Sequence, residues 1–371
     1  MNKVLILHAS ANIGGAEYSL LELLRNLKDY PIEIYIVHNS QTKQLFQNVM
    51  NTPVFFYNFE LNYLKKHQNF KSLLHSLTSL IICNYKIFRL VKKHNIKNIY
   101  CNTFRSLPYC LTTKLLTKTQ IICHCRDNVT STFIRYLIKY GSDKTIAVSA
   151  FIKNQILSDD KVKIIHNGVN ISYFSDSKPT GWLHKELNLS PNISFIGNIG
   201  QIVSWKNQTD YILIAKELIK INTNLHFLLI GRSVDDNYYS LLKQQICSFN
   251  LNSYFTLIGQ VEDIKKYIGE IDILVHTATN EPFGRIVIEA AAASTPVLAY
   301  DSGGISEIIK DGETGFLIQY RNIHRMVDCI FLLLNDQSLR QSIGRNAQKY
   351  MVESFNSIDY TSRVYNILVN D

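Results

Sequence analysis

Short apolar segments alternate with longer helical patterns along this chain, and that alternation restricts its fold more than any other feature of the sequence. In the first half, strands are predicted at Val4–Leu7, Glu33–Val37, Val54–Tyr57, Ile99–Cys101, Gln120–Cys123 and Thr145–Val148. In the second half, they are predicted at Ser194–Ile199, Leu225–Ile230, Phe255–Ile258, Ile273–His276, Pro296–Ala299 and Phe316–Ile318. Apolar runs without clean polar alternation are typical of strands buried on both faces of a parallel sheet. We therefore expect an α/β protein made of two successive doubly wound units.

The length of 371 residues fits two domains, since a domain takes roughly 150 residues. The polar segment Ser172–Pro191 contains proline and glycine breakers and separates the two series of strands. We predict a first domain over residues 1–170 and a second over residues 171–355. The remaining residues, 356–371, are predicted to form a last helix around Ile358–Val369.

The composition excludes several protein classes. With 46% hydrophobic and 19% charged residues, the chain can fill large cores and is not disordered. No apolar run approaches the roughly 18 residues of a membrane span, and Met1 leads almost directly into a strand, so no secretory signal is predicted. Seven cysteines without Cys-x-x-Cys spacing fit a reducing compartment. These features predict a cytoplasmic protein.

Basic residues are concentrated in the first half of the chain. Residues 1–166 contain 22 Lys and Arg against 9 Asp and Glu, whereas residues 167–371 contain 17 against 21. Many of the basic residues lie between 65 and 97, among apolar residues, which predicts a long helix with a basic and an apolar face. A solvated helix face and a surface for an anionic membrane both explain this pattern. Nucleic acid explains it less well, because no zinc finger or RRM signature is present.

Several common nucleotide and hydrolase motifs are absent. The sequence lacks Gly-x-Gly-x-x-Gly, which disfavours a nicotinamide dehydrogenase, and Gly-x-x-x-x-Gly-Lys-Ser/Thr, which excludes a P-loop NTPase. It also lacks the Gly-x-Ser-x-Gly elbow of α/β-hydrolases. Gly14 and Gly15 follow the first strand and allow a close approach to a phosphate or sugar, although glycine pairs are common in such turns.

The segment after the predicted strand Ile273–His276 carries the strongest functional signal. It reads Asn280-Glu281-Pro282-Phe283-Gly284-Arg285-Ile286-Val287-Ile288-Glu289-Ala290. A helix that begins near Gly284 would direct its first N–H groups towards an anion beyond the edge of the sheet. Glu281 precedes this helix and Glu289 lies inside it, so the two carboxylates can contact one elongated ligand at different points.

Five segments of the sequence together resemble the retaining glycosyltransferases of family 4, which have the GT-B fold. Glu281 and Glu289 are similar to the Glu-x7-Glu motif of that family. The other matches are Gly14-Gly15-Ala16-Glu17, His166-Asn167-Gly168-Val169-Asn170, Gly200-Gln201-Ile202-Val203-Ser204-Trp205-Lys206-Asn207, and Val297 to Phe316 with Gly303-Gly304. The resemblance implies two Rossmann-like domains that face each other across a cleft, with the C-terminal helix crossing back to the first domain.

The resemblance implies that the second domain binds a nucleotide-sugar donor. Lys206 matches the family's phosphate-binding lysine, and the backbone N–H groups of residues 283–286 would hold the diphosphate. Glu281 would bind hydroxyl groups of the donor sugar and Glu289 those of the ribose, because a carboxylate accepts hydrogen bonds from vicinal hydroxyls. Gly259 and Val261 belong to the segment whose backbone reads the base.

Gln201 departs from the family pattern, which usually has an arginine at this position. A glutamine keeps hydrogen bonding but loses a positive charge, so its contribution to donor binding is in question. This departure keeps open a second function, that of a non-catalytic subunit that binds a nucleotide sugar.

In the first domain, the strand that begins at Gln120 ends in His124-Cys125-Arg126-Asp127. The family places a histidine, or a His-x-Arg-acid run, beside the donor sugar, so either His124 or Arg126 is expected there. A satisfied core histidine and an ion pair between Arg126 and Asp127 are the structural alternatives. Alternation along a strand puts the neighbouring thiols and the imidazole on opposite sides, which disfavours a metal site. The chain also lacks the Asp-x-Asp of metal-dependent transferases.

The activity implied by the resemblance is transfer of a sugar from a UDP- or GDP-sugar to a glycan or lipid-linked acceptor. Retention at the anomeric carbon is expected, without metal or other cofactor, in bacterial cell-surface polysaccharide biosynthesis. The first domain would bind the acceptor, and its basic surface would meet an anionic membrane at the inner face of the plasma membrane. A sugar-nucleotide epimerase, a phosphorolytic enzyme and the non-catalytic subunit remain alternatives.

Overall fold

A computed structural model of the chain describes residues 2–9, 14–38, 54–59, 70–157 and 160–369. The chain divides into two compact units. The first comprises Met1–Gly168 together with Ser357–Asp371, and the second comprises Val169–Asn356. Each unit contains one parallel sheet, which confirms the predicted α/β class with two Rossmann-like units.

The described residues of the first unit form a seven-stranded parallel sheet. Its strands are β1 (Asn2–Leu7), β2 (Ile32–His38), β3 (Val54–Asn58), β4 (Asn98–Cys101), β5 (Gln120–Cys125), β6 (Lys144–Ala147) and β7 (Val162–Ile164). Their order is β3-β2-β1-β4-β5-β6-β7, so the direction of winding reverses between β1 and β4. Ligands of such sheets bind beyond the carboxyl ends of the strands at this reversal.

Helices cover this sheet. They are α1 (Gly15–Leu27), α2 (Phe70–His94), α3 (Leu111–Leu116), α4 (Thr132–Gly141) and α5 (Ala150–Lys153), with a 3-10 helix at Phe104–Tyr109. At the start of α1, the Glu17 carboxylate accepts the N–H of Gly14 at 2.7 Å, which caps the helix. Leu20, Leu23 and Leu27 follow at helical spacing and are fully buried, so α1 packs by one apolar face. In the part of the chain that the structure describes, no helix combines the length and hydropathy of a membrane span.

The described residues of the second unit form a six-stranded parallel sheet. Its strands are β8 (Ser194–Ile199), β9 (Leu225–Ile230), β10 (Phe255–Ile258), β11 (Ile273–His276), β12 (Val297–Tyr300) and β13 (Phe316–Ile318). The order β10-β9-β8-β11-β12-β13 repeats the topology of the first sheet, with its reversal between β8 and β11. The loops after β8 and β11 therefore hold the position that favours a ligand site.

The second unit, Val169–Asn356, includes the whole polar segment Ser172–Pro191. Its helices are α6 (Ile171–Ser175), α7 (Trp182–Glu186), α8 (Gln208–Ile219), α9 (Asp236–Ser248), α10 (Ile264–Ile268), α11 (Arg285–Ala292), α12 (Ile323–Asn335) and α13 (Gln337–Ser354). The polar segment Ser172–Pro191 is not a linker, because it contains most of α6 and all of α7. The buried Glu270 carboxylate also accepts the N–H groups of Thr180 and Gly181, at 2.6 and 3.1 Å.

The last helix, α14 (Ser357–Val369), belongs to the first unit, as predicted. Val364 and Leu368 are fully buried in the apolar cluster of that unit, together with residues of α1. The Asn98 side-chain amide donates to the Leu368 carbonyl oxygen at 2.7 Å, which ties the end of α14 to β4.

Candidate active site

An ion pair in the second unit joins the two loops at the strand reversal. Lys206 ends a short 3-10 helix after β8, and Glu281 lies five residues after β11. The Lys206 Nζ atom lies 2.5 Å from Glu281 Oε2, and His276 Nε2 lies 3.2 Å from the same oxygen. Glu281 is only 7% exposed, so the carboxylate is largely removed from water and depends on these two partners.

The charges of this cluster are fixed by its surroundings. Burial by itself raises the pKa of Glu281, but the Lys206 charge and the His276 hydrogen bond outweigh it and lower the pKa to about 2. Burial, aided by the Lys206 charge, lowers the pKa of His276. At neutral pH the cluster therefore holds a carboxylate, an ammonium group and a neutral imidazole.

Lys206 is held from several sides. Its ammonium group lies 4.5 Å from the centre of the Trp205 ring, at cation–π distance. Its carbonyl oxygen accepts the Thr277 hydroxyl at 3.0 Å, which links the 3-10 helix to the end of β11. Because an ammonium group has three N–H donors, Lys206 can contact Glu281 and still donate to an anion.

The backbone of Glu281 is fixed by the loop that follows β12. The Gly304 N–H donates to the Glu281 carbonyl oxygen at 2.8 Å, and Glu281 forms an isolated bridge with Gly303. Gly303 has φ of +73°, and a Cβ atom there would lie 2.2 Å from the Glu281 carbonyl oxygen. Only glycine allows this close approach, so the loop of residues 301–307 is a structural part of the site.

Helix α11 begins at Arg285, four residues after Glu281, with Gly284 as its N-cap residue. The first N–H groups of an α-helix have no acceptor within the helix, so the start of α11, residues 283–286, suits an anion. The Arg285 side chain turns along the helix, and its Nε lies 2.6 Å from Glu289 Oε1. The structure thus pairs Glu289 with Arg285 and Glu281 with Lys206.

The other predicted residues of the second unit lie on neighbouring strand ends. Gln201 follows β8, and its carbonyl oxygen accepts the Gln208 side-chain amide at 2.9 Å. Gly259 follows the edge strand β10 and is exposed, while Val261 is partly buried. Gly259 also accepts the N–H of Gly231 through its carbonyl oxygen at 3.2 Å.

In the first unit, His124 and Arg126 are both buried in one network. His124 Nδ1 lies 2.6 Å from the Tyr100 hydroxyl, and burial lowers the pKa of His124 well below its usual value. The Arg126 guanidinium contacts Asn102, Asn167, Tyr100 and Tyr360.

The alternative of an ion pair between Arg126 and Asp127 is wrong. The Asp127 Oδ2 atom instead lies 3.4 Å from the Nε of Arg105. Whether His124 or Arg126 contacts a donor sugar stays a prediction.

Sequence reasoning missed several polar residues at the strand ends. His276 is the last residue of β11 and was included in the strand without a role. His8 Nε2, after β1, lies 3.0 Å from Glu17 Oε1, and His8 Nδ1 lies 3.2 Å from Asn102 Nδ2, after β4. These residues border the predicted Gly14 turn. The available signal was their position, because polar residues at carboxyl ends of buried parallel strands mark ligand sites.

The cysteines beside His124 are turned away from it. Cys123 Sγ lies 3.8 Å from Cys125 Sγ, on the side of β5 opposite to His124. Within the described ranges, no three or more His, Cys, Asp and Glu side chains are grouped to hold a metal ion. Metal independence of the reaction stays a prediction.

Two family models match the chain. The model described as glycosyl transferases group 1 matches residues 183–350, and the model described as glycosyltransferase family 4 matches residues 13–173. The first match contains Lys206, Glu281 and Glu289, and the second contains His124 and Arg126.

Curated relatives carry related names. The chain is 28% identical over 240 residues to the capsular polysaccharide biosynthesis glycosyltransferase CapM of Staphylococcus aureus, which covers 61% of this chain and 62% of CapM. It is 27% identical over 357 residues to an uncharacterized glycosyltransferase of Methanocaldococcus jannaschii, covering 91% and 90% of the two chains. The match thus spans less than two thirds of the length of CapM.

Solved structures share the fold over the whole chain. HepE of Anabaena, solved in complex with UDP and glucose, superposes with a TM-score of 0.84 at 22% identity and covers all of both chains. A glycosyltransferase of Rickettsia africae has a TM-score of 0.81 at 21% identity, covering 100% of this chain and 99% of that one. At these identities the likeness establishes the GT-B fold.

Proposed function

This chain belongs to the family-4 glycosyltransferases of the GT-B fold, and from that membership we propose that it moves a sugar from a UDP- or GDP-sugar to a glycan or lipid-linked acceptor. The observation that carries the proposal is the buried contact of Lys206 with Glu281, in the loop that leads into α11. The complex of HepE with UDP and glucose, and the name of CapM, support the donor class and a role in bacterial cell-surface polysaccharide biosynthesis.

The proposed reaction breaks the bond between the sugar and the diphosphate. Negative charge grows on the departing diphosphate in the transition state, and preorganised donors aimed at that charge lower the barrier. Lys206 and the first N–H groups of α11 are such donors. Glu281, ionised because of its low pKa, accepts hydrogen bonds from sugar hydroxyls, and Glu289 does the same for the ribose.

The proposal also includes retention of the anomeric configuration and a reaction that needs no metal ion. In this proposal, the Lys206 ammonium group and the N-terminus of α11 contribute positive potential at the leaving diphosphate, where a divalent cation acts in metal-dependent enzymes. We propose transfer at the donor's own face, with the departing diphosphate close to the incoming hydroxyl. The first unit, with its polar network after β1 and β4, binds the acceptor in this proposal.

Donor binding and turnover test the function directly. Among UDP, GDP and ADP, one nucleotide is expected to stabilise the purified chain by about 2.7 kcal/mol at a hundred times its dissociation constant, which raises the melting temperature by several degrees. The matching nucleotide sugar is expected to release nucleoside diphosphate, and NMR of the product reports the anomeric configuration. Glu281→Gln abolishes the release, whereas Glu353→Gln, an exposed carboxylate on α13, leaves it unchanged.

The same assay separates the alternatives. An epimer formed from the nucleotide sugar alone would indicate an epimerase, and dependence on inorganic phosphate would indicate a phosphorolytic enzyme. Nucleotide binding without release or transfer would indicate the non-catalytic subunit. Absence of any nucleotide-induced stabilisation would contradict the whole proposal.

The first unit carries a surface that fits the inner face of an anionic plasma membrane. One side of α2 exposes an apolar stripe, which we call the α2 stripe: Leu74, Leu77, Ile81, Ile82 and Tyr85. Ile81 is 68% exposed, and a helix face that only contacts water does not need an apolar side chain at such a position. The last turns of the same helix expose Arg89, Lys92 and Lys93. An apolar stripe beside basic residues is typical of helices that lie in the membrane interface.

Replacement of Ile81 by serine is expected to lower binding to vesicles of phosphatidylglycerol and phosphatidylcholine about tenfold, because it removes an apolar side chain from the acyl boundary. The double variant Lys92→Gln, Lys93→Gln is also expected to bind these vesicles more weakly, since each basic residue contributes about 1 kcal/mol. Its binding is expected to depend less on salt concentration than that of the wild type. Vesicle sedimentation measures both effects. Ile221→Ser, at an exposed position of the second unit, is the control, and sedimentation that is equal for Ile81→Ser and wild type would contradict the membrane role.

A further inference from the structure

The loops after β8 and β9 stay in register beyond the ends of the two strands. Ile199 pairs with Ile230 inside the sheet, and Ile202 pairs with Ser233 in an isolated parallel bridge, with the same offset. The Ile202 N–H donates to the Arg232 carbonyl oxygen at 2.9 Å. This register makes Arg232 the direct neighbour of Gln201.

The two loops also touch through their backbones. A Cβ atom on Gly231 would lie 1.9 Å from the Gly200 carbonyl oxygen, so glycine is required for this contact. A Cβ atom on Gly200 would lie 3.8 Å from the Lys206 Nζ. The turn at Gly231, just before Arg232, therefore packs against the turn at Gly200. The Gly200 turn lies beside the Lys206 side chain.

Arg232 is directed away from the apolar core. Ile202 is 2% exposed and belongs to the core cluster of the second unit, and side chains alternate between the faces of extended chains. Gln201 and Arg232 therefore lie on the face opposite to Ile202. Arg232 is half-buried, and among the described residues its guanidinium has no hydrogen-bond or ion-pair partner.

The candidate site without Arg232 has no net positive charge. Lys206 is neutralised by Glu281, and Arg285 by Glu289. His276 adds none, since burial lowers its pKa. A nucleoside diphosphate brings at least two negative charges, which need an excess of cationic donors.

We propose that Arg232 binds the diphosphate of the donor and supplies the positive charge that Gln201 lacks. A guanidinium group suits this task because its parallel N–H donors match the oxygens of a phosphate. The inference rests on the proposed function and adds to it a specificity residue for the diphosphate portion of the donor.

The test compares a nucleoside diphosphate with its nucleoside. The probe is whichever of UDP, GDP and ADP stabilises the wild type most, with uridine, guanosine or adenosine as its partner, and calorimetry gives both dissociation constants. Arg232→Gln is expected to weaken the diphosphate about tenfold and to leave the nucleoside unchanged. Arg232→Lys is expected to weaken the diphosphate less, because the charge is kept.

A double variant distinguishes charge from structure. Gln201→Arg in the Arg232→Gln background is expected to restore most of the lost affinity, because the two positions are register neighbours; a merely structural role for Arg232 predicts no rescue. Arg345→Gln, an equal change of charge on the exposed side of α13, is the control. Equal diphosphate affinity of Arg232→Gln and wild type overturns this inference alone, whereas a wild type that binds no nucleotide overturns the proposed function.

Discussion

Replacement of Lys206 by methionine is expected to lower kcat/KM for sugar transfer at least a hundredfold and to destabilise the second unit by about 3 to 5 kcal/mol. In the proposed reaction, the loss of activity follows from removing a cation beside the departing diphosphate. The loss of stability follows from leaving the Glu281 carboxylate buried with His276 as its remaining polar partner within the described cluster. Release of nucleoside diphosphate and urea unfolding measure the two effects separately.

A second substitution tests why Lys206→Met loses stability. In Lys206→Met with Glu281→Gln, a neutral amide replaces the stranded carboxylate, so most of the stability is expected to return while activity stays low. Lys220→Met is the matched control, because Lys220 pairs with Glu217 on the surface, and exposed pairs contribute at most about 1 kcal/mol. Equal urea stability of the double variant and of Lys206→Met alone would contradict the stranded carboxylate as the cause of the lost stability.

The same pair sets an acid dependence of stability. The pKa of Glu281 is lowered from 4.5 to about 2 in the folded chain, so its contribution to stability is complete above pH 4.5 and is lost as the pH falls towards 2. In Lys206→Met, burial is no longer opposed by the ammonium charge and the pKa of Glu281 rises towards or above 4.5, so the loss of stability on acidification becomes smaller or is reversed. Unfolding curves between pH 3 and pH 7 of the variant and the wild type measure that difference.

The strands of the second unit could be predicted closely because each is a short, uninterrupted apolar run between polar turns. The predicted bounds of Ser194–Ile199, Leu225–Ile230 and Phe316–Ile318 agree with the structure. β7 was missed because it has three residues, two of them exposed, at the edge of its sheet. Such a strand takes its conformation from pairing with β6 and carries little periodicity of its own.

The candidate site could be predicted as a set of residues but not as a set of contacts. Lys206 and Glu281 are 75 residues apart, and their pairing follows from the order of strands, which brings β8 beside β11. The contact of neutral His276 with Glu281, and the close approach of Gly303 to the Glu281 carbonyl oxygen, depend on the same strand order. The neighbourhood of Gln201 and Arg232 depends on a register that no local pattern reveals.

Arg126 shows the same limit in the first unit. The sequence places it at the end of β5, yet one of its partners, the Tyr360 hydroxyl at 2.8 Å, comes from α14 near the end of the chain. Its other partners are the side-chain Oδ1 atoms of Asn102 and Asn167 and the Tyr100 hydroxyl. A buried guanidinium held by four neutral oxygens joins the last helix to the sheet.

Replacement of Arg126 by methionine is therefore expected to destabilise the first unit by about 3 kcal/mol, because several buried oxygens lose their donor at once. Tyr360→Phe removes one of these contacts and is expected to cost about 1 kcal/mol. Protease cleavage of α14, which Arg126→Met loosens from the sheet, is expected to accelerate in parallel with urea unfolding. Arg25→Met, at an exposed position of α1, is the control.

The resemblance to family 4 gives Arg126 another role, at the donor sugar, and the same variant decides between the two. If Arg126 is a structural link, turnover per folded molecule falls no further than the folded fraction does, and Arg126→Lys recovers part of the stability because it keeps a donor in the network. If Arg126→Met instead unfolds like the wild type and loses turnover, the guanidinium acts on the sugar. In that case the hydrogen bonds to Tyr100 and Asn102 orient the Arg126 guanidinium towards the sugar.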